Sequence, residues 1–147
     1  MSDEFRTLVQ EFVRRFGLLS ADTTPCGKPF ASSDAHALML LLDAGEAGLL
    51  SSALGAQLGI DKSTASRVTA RLGERELLEP APADDARARP IRLTRKGVRL
   101  AREVQESSRA RFADVLARVP ARRRTHVVAA LRDLVAALDP PPGDDNP

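Results

Sequence analysis

The chain has 147 residues, of which 43% are hydrophobic and 29% charged, so it can form one compact domain with a sizeable core and not two independent ones. Aromatic residues make up only 3%, which argues against a protein that stacks the bases of single-stranded nucleic acid. The formal net charge is +2, and the single cysteine excludes an intrachain disulfide. No signal peptide or membrane span is recognisable, so we expect a cytoplasmic protein.

The first predicted element is an amphipathic helix, because apolar residues recur there at three- and four-residue steps. Its apolar stripe consists of Phe5, Leu8, Val9, Phe12, Val13, Phe16 and Leu19. A loop over 20–33, interrupted by proline and glycine, follows it. The next apolar run predicts a second helix that Ser32 or Ser33 caps and that stops near Gly45.

Two short helices are predicted next. Ser51 is a good N-cap for a helix that continues through Leu58, and Gly59 can end that helix in the left-handed conformation. Asp61 then caps a helix over about 62–74. Two short helices joined by a three-residue turn containing glycine form the helix-turn-helix pattern.

A two-stranded ribbon follows directly. Leu77 and Leu78 begin an extended run, "APADDARARP" forms the tip, and "IRLT" returns as the second strand. Such a ribbon after a helix-turn-helix is a wing. Thr94 can cap a long helix that Pro120 breaks, and a final amphipathic helix follows. The tail "PPPGDDNP" is expected to be disordered.

These elements predict an all-α fold with a small β-wing, in which N- and C-terminal dimerisation helices flank a winged helix-turn-helix core. The expected divisions are an N-terminal dimerisation helix and loop at 1–34, a DNA-binding region at 35–94, C-terminal dimerisation helices at 95–139 and a tail at 140–147. The end helices carry more apolar face than one small wing domain can cover, which is typical of a partner surface. A two-fold homodimer is the commonest way to bury such faces.

The helix over 62–74 is unusually rich in serine and threonine, which form helices only indifferently. A helical wheel groups Ala65, Val68 and Leu72 on a side that we assign to the core. The outer side is small, hydroxyl-bearing and basic, and consists of Ser63, Ser66, Arg67 and Ala70, with Thr64 and Arg71 at one margin. Small side chains let a helix approach the bases of a major groove, hydroxyls can bond base edges or phosphates, and arginine can bind guanine. The alternative is an ordinary exposed helix.

Positive charge is concentrated in this part of the chain. Between Asp61 and Arg102 there are eleven Lys or Arg and six Asp or Glu residues, as expected of a face that meets phosphates. Arg87 and Arg89 lie at the wing tip, where an arginine can enter the narrow minor groove. Asp85 either orients the Arg87 guanidinium or, with its neighbour Asp84, caps a turn.

The stretch "LGIDKSTASRVTARLGERELLEPAPADDARARPIRLTRKG" resembles the core of the MarR family of bacterial transcription regulators. The resemblance rests on the LGIDKSTASR recognition helix, the hydrophobic pair before the wing, the D-x-R at Asp85 and Arg87, and the LTRKG that leads into the long helix. It implies an obligate dimer, formed by the first and the last two helices, that binds a pseudo-palindromic operator. By position, it implies base or nearby phosphate contacts for Ser63, Thr64, Ser66 and Arg67, a phosphate contact for Arg71, and a minor-groove contact for Arg87.

Two positions depart from the family pattern. Ala86 stands where many members have a further basic residue, and Pro90 interrupts the second wing strand. A less charged and stiffer wing could weaken or redirect the minor-groove contact, and this affects the assignment of Arg89 more than that of Arg87.

Family members commonly release DNA when a small phenolic or lipophilic compound binds between the dimer helices and the wing domain, or when a cysteine is oxidised. Cys26 lies in "TTPCGKPF", where Lys28 could favour the thiolate; alternatively it is a small buried hydrophobic residue. His36 could face a pocket or simply pack, and His126 is expected to be exposed. No ligand spacing supports a metal site, and no cofactor is expected.

The predicted function is therefore sequence-specific regulation of transcription, by a ligand-responsive repressor that binds double-stranded DNA as a homodimer. The alternatives are a redox-sensing regulator that uses its single cysteine, and a winged-helix protein-interaction module without DNA specificity. An enzyme is not expected, since the chain has no Gly-rich phosphate loop and no plausible acid–base constellation.

Overall fold

A computed structural model describes residues 1–85, Arg87 and 89–139. Ala86 and the predicted tail at 140–147 lie outside the described residues. The elements in chain order are α1 (Ser2–Phe16), α2 (Ser32–Ala44), a 3₁₀ turn (Gly45–Ala47), α3 (Ser51–Leu58), α4 (Lys62–Glu74), β1 (Leu78–Pro80), β2 (Ile91–Leu93), α5 (Arg95–Ala117) and α6 (Ala121–Ala137). The predicted fold class is confirmed: the chain is mostly helical and carries a small antiparallel two-stranded wing.

The chain divides into two compact units, with the division between Arg111 and Phe112 in α5. The first unit contains α1 to α4, the wing and most of α5. The second contains the end of α5 and all of α6. Nowhere in the described part of the chain does a helix combine the length and apolar character needed to cross a membrane.

The core of the first unit is built almost entirely from aliphatic side chains. Leu38 and Leu41 of α2, Leu54 of α3, and Val68 and Leu72 of α4 are at most 1% exposed. Because α2, α3 and α4 each contribute to this cluster, the two helices of the helix-turn-helix are fixed against α2. The burial of Val68 and Leu72 confirms the inner face predicted for α4.

Local capping holds the helix-turn-helix geometry. Gly59 ends α3 with φ 66° and ψ 31°, the left-handed conformation that was predicted. Asp61 is the N-cap of α4, also as predicted. The predicted serine caps are wrong: Ala31 and Leu50 occupy the N-cap positions of α2 and α3, and neither helix has a side-chain cap. The serines lie inside the first helical turn, whereas a capping side chain must precede it.

The wing is attached to the body of the first unit by an isolated backbone bridge and by ion pairs. The register of the antiparallel pair is Leu78–Leu93, Glu79–Arg92 and Pro80–Ile91. Leu49 forms a bridge with Ile91 through two backbone bonds of 2.9 and 2.8 Å. Arg92 adds ion pairs to Glu79, at 2.9 Å, and to Glu46 in the 3₁₀ turn. These contacts fix the base of the wing next to the end of α2.

The LTRKG segment closes the wing onto α5. The Thr94 hydroxyl donates to the Glu76 carbonyl at 2.9 Å and accepts from the Gly97 backbone N–H at 3.0 Å, which confirms the predicted cap. Gly97 is buried, and a Cβ atom there would collide with the Leu77 carbonyl oxygen. The glycine is therefore required by the close approach of α5 to the chain before β1.

We expect Gly97→Ala to destabilise the protein by about 1–3 kcal/mol or more, because the added methyl group cannot be accommodated without a backbone shift. Equilibrium unfolding in urea measures this change. Gly73→Ala is the matched control, since nothing lies within 4 Å of a Cβ atom built there. That variant should be more stable by about 0.5–1 kcal/mol, the usual gain from replacing a helical glycine. Equal unfolding midpoints for the two variants would contradict the packing argument.

In the second unit, α6 follows directly after Pro120. Arg124 of α6 donates to the Val119 carbonyl at 3.0 Å and to the Ala117 carbonyl at 2.8 Å. The bond to Ala117 satisfies a carbonyl group at the end of α5, which has no partner within its own helix, and the bond to Val119 holds the turn that follows. The turn between the two helices is thereby fixed by one side chain.

Candidate nucleic-acid interface

The outer face of α4 is the strongest candidate for a functional surface. Ser63, Ser66 and Arg67 are exposed and Thr64 is half-buried, while Ala65 on the inner side is 2% exposed. The structure thus presents the predicted small, hydroxyl-bearing and basic side chains to solvent. An exposed helix face of this chemistry can offer donors and acceptors to a groove without steric obstruction.

Asp61 organises the start of this face. Its Oδ1 accepts from the Ser63 hydroxyl at 2.7 Å and from the Thr64 backbone N–H at 2.8 Å. Its Oδ2 accepts from the Thr64 hydroxyl at 2.9 Å. The Thr64 backbone bond, followed by the two hydroxyl bonds, lowers the pKa of Asp61 from 3.8 to about 2. The cap therefore stays ionised at neutral pH and uses one of the N–H groups that a phosphate could otherwise bind.

A hydrogen-bonded chain runs from this cap to Arg67. Arg67 donates from Nη2 to the Thr64 hydroxyl oxygen at 3.0 Å. Because the Thr64 hydroxyl gives its proton to Asp61, its oxygen is free to accept from Arg67. The guanidinium is thereby held on the outer face with most of its five donors still unused. Sequence reasoning missed this chain, although its D-x-x-T-x-x-R spacing, at i, i+3 and i+6, is visible in the sequence.

Arg71 is placed differently from Arg67. Its guanidinium binds Asp34 of α2 through two bonds, Nη2 to Oδ1 at 2.6 Å and Nε to Oδ2 at 3.2 Å. Asp34 is only 4% exposed, whereas the Arg71 side chain is 47% exposed. The bond to Asp34 raises the pKa of Arg71 above its ordinary value. Asp34 was not among the predicted site residues, and its 37-residue separation from Arg71 leaves no local signal.

At the wing, Arg87 and Arg89 are both exposed. Asp85 accepts a hydrogen bond from the Arg87 backbone N–H at 2.9 Å, so it stabilises the turn that carries this arginine. Pro90 precedes β2, and its carbonyl accepts from the Ala81 N–H at 2.8 Å. The wing thus presents two arginines to solvent.

The loop before α2 holds Cys26 in a polar environment. The cysteine is half-buried, and its Sγ lies 3.1 Å from the Thr24 hydroxyl oxygen. The Lys28 ammonium is directed to Glu103, at 3.9 Å. His36 is exposed on α2 and lines an open cleft of about 290 Å³. In the described part of the chain, no group of three or more His, Cys, Asp or Glu side chains could hold a metal ion.

Each unit also presents an uncovered apolar helix face. On α1, Phe5, Leu8, Val9 and Phe12 are between 42% and 57% exposed. In the second unit α6 has no buried residue. Its exposed apolar side chains are Val127, Val128, Leu131, Leu134 and Val135. Surfaces of this kind, rimmed by charged residues, are typical of interaction sites.

A sequence model of the MarR family matches residues 30–88 of the chain. The matched segment extends from the end of the α1–α2 loop through α2, α3 and α4 to the wing tip. No curated protein sequence matches the chain.

Several solved structures are similar to the chain over nearly its whole length. A probable transcriptional regulator from Pseudomonas aeruginosa gives a TM-score of 0.74 at 21% identity, with 90% of this chain and 98% of that chain covered. The PcaV transcriptional regulator from Streptomyces coelicolor, in complex with its natural ligand, gives 0.61 at 28%, with 90% and 89% covered. The S. aureus MepR–DNA complex gives 0.67 at 18%, with 93% and 97% covered.

Proposed function

We propose that this chain is a member of the MarR family of winged helix-turn-helix transcriptional regulators, as its sequence indicated and as the match over residues 30–88 supports, and that it is a sequence-specific repressor that binds a pseudo-palindromic operator as a homodimer. The observation that carries the proposal is the outer face of α4, where Ser63, Ser66 and Arg67 are exposed beside a helix start fixed by Asp61. A similar fold occurs in the MepR–DNA complex. In this proposal the protein acts on double-stranded DNA in the cytoplasm and is not an enzyme.

In the proposed complex, the chemistry of each structural element determines what it contacts. The outer face of α4, with Thr64 and Arg67, enters the major groove and contacts base edges. The wing directs Arg87, and Arg89 beside it, to the minor groove, whose negative potential attracts guanidinium groups. The uncovered apolar faces of α1 and α6 bind a second copy of the chain.

We also propose that a small phenolic or lipophilic effector releases the DNA. Support comes from PcaV, which resembles this chain at 28% identity and was solved with its natural ligand. Redox control through Cys26 stays outside the proposal, because the neighbouring Lys28 ammonium is directed to Glu103 and the chain has no second cysteine that could resolve an oxidised thiol.

Selection from a pool of random duplexes, followed by footprinting, tests the proposal. We expect two inverted half-sites whose centres lie about one helical turn, or roughly ten base pairs, apart. Affinity should fall steeply with salt, by about 10³-fold between 50 and 200 mM if the dimer neutralises six phosphates. A footprint over one asymmetric half-site would contradict the dimer. A chain that binds no duplex, even at low salt, would instead support the protein-interaction module.

A further inference from the structure

The ion pair between Asp34 and Arg71 joins the first turn of α2 to the outer margin of α4. The Asp34 carboxylate is almost completely buried, and both of its oxygens accept from the same guanidinium. A buried carboxylate is tolerated only when it is paired and hydrogen-bonded. The buried carboxylate of Asp34 therefore requires Arg71 as its partner, whatever the exposed part of the Arg71 side chain contacts.

The Asp34–Arg71 ion pair constrains the orientation of α4, which the neighbouring apolar contacts do not. Val68 and Leu72 of α4 pack into the core, but apolar burial is non-directional and tolerates a small rotation or slide of the helix. A bidentate bond between guanidinium and carboxylate fixes distance and orientation together. Arg71 is one helical turn beyond Arg67, so the restraint acts next to the outer face of α4.

From this geometry we propose that Asp34 and Arg71 form a positioning pair, which sets the orientation of α4 so that its outer face fits the operator. The inference rests on the proposed function and gives Arg71 a role different from the phosphate contact that the family resemblance implies. Arg71 acts on DNA binding through Asp34. To leave Asp34 for a phosphate, it would have to abandon a buried charge, which is strongly unfavourable.

The two roles predict different results for duplexes of different sequence. A lost phosphate contact weakens the operator and a scrambled duplex alike, and makes the salt dependence shallower by about 0.9 for each contact. A misplaced α4 weakens the operator alone. We expect Arg71→Ala and Asp34→Asn each to reduce the operator-to-scrambled affinity ratio on the order of tenfold, with the salt slope unchanged.

Two further variants sharpen the test. Arg71→Lys keeps the charge but loses the planar fork, so it should behave like Arg71→Ala; a phosphate contact would leave it close to the wild-type protein. The double variant Asp34→Asn with Arg71→Ala should bind no more weakly than either single variant, because the two residues act as one unit. Arg87→Ala, by contrast, should make the salt slope shallower.

The measurement is duplex affinity by fluorescence anisotropy, at several salt concentrations, with the active fraction of each folded variant titrated separately. An unchanged affinity ratio with a shallower salt slope for Arg71→Ala, and wild-type binding by Asp34→Asn, would overturn the inference. So would a loss confined to the active fraction, since that is the signature of lowered stability alone. If the wild-type protein prefers no duplex sequence, the proposed function itself fails, and the inference fails with it.

Discussion

Replacing Leu131 with Glu should convert the dimer into a monomer and weaken operator binding by about 10²–10⁴-fold, the usual advantage of two linked binding sites over one. Leu131 lies in the apolar stripe of α6 and is 53% exposed. A glutamate there would carry a charge into an interface that must exclude water, where an unpaired charge is strongly unfavourable. Sedimentation equilibrium at micromolar concentration measures the first effect, and operator titration the second.

We expect this result because α6 lacks buried residues within a single chain. It has 17 residues, and none of them is buried. Helices in proteins are stabilised mainly by packing of an apolar face and much less by the intrinsic propensity of their residues. In the proposed dimer, the apolar stripe of α6 gains its stabilising contacts from the second copy of the chain.

Ala129→Glu is the matched control. Ala129 is exposed on the same helix, and two residues of separation from Leu131 place it about 200° away around the helix axis. It introduces the same charge outside the apolar stripe, so the dimer and operator affinity should be retained. A wild-type protein that is monomeric at micromolar concentration, or a Leu131→Glu dimer with full operator affinity, would contradict the proposed assembly.

The parts of the fold that could be predicted depend on short stretches of sequence. Gly59 and Asp61 act on residues within one helical turn, so both could be assigned from the sequence and both are confirmed. The period of apolar residues in α4 was sufficient to separate the buried Val68 from the exposed Arg67, because a helix of 3.6 residues per turn fixes their angle. The errors at the starts of α2 and α3 amount to one or two residues, since the capping preference of serine says little about which residue begins the helix.

Long-range contacts could not be predicted in this way. Asp34 looks like an ordinary acidic residue in the first turn of a helix, and only the folded chain brings it to Arg71. The same holds for Glu46 and Arg92, which join the 3₁₀ turn to the wing. Position 97 requires glycine because the Leu77 carbonyl lies against it, and Leu77 directly precedes β1 whereas Gly97 follows β2. Each of these contacts depends on tertiary packing that no periodicity encodes.

The second large effect is expected from Arg67→Ala, which should weaken operator binding by about 1–3 kcal/mol, or roughly 5- to 150-fold, and relax the preference at one base position. Arg67 is exposed on the outer face of α4. A guanidinium can form two parallel bonds to guanine, which alanine cannot replace. Repeating the duplex selection with the variant identifies the base position that loses its preference.

The Thr64→Val variant distinguishes the contact that Arg67 makes with DNA from the hydrogen bond to Thr64 that orients Arg67. Valine has nearly the shape of threonine, but it cannot accept the Arg67 bond or donate to Asp61. We expect a smaller loss than for Arg67→Ala, at the same base position, because the guanidinium remains but loses its restraint. Arg102→Ala removes an equal charge from an exposed position of α5 and should leave base preference unchanged. If Arg67→Ala binds the operator with wild-type affinity and preference, α4 meets the groove through a different face.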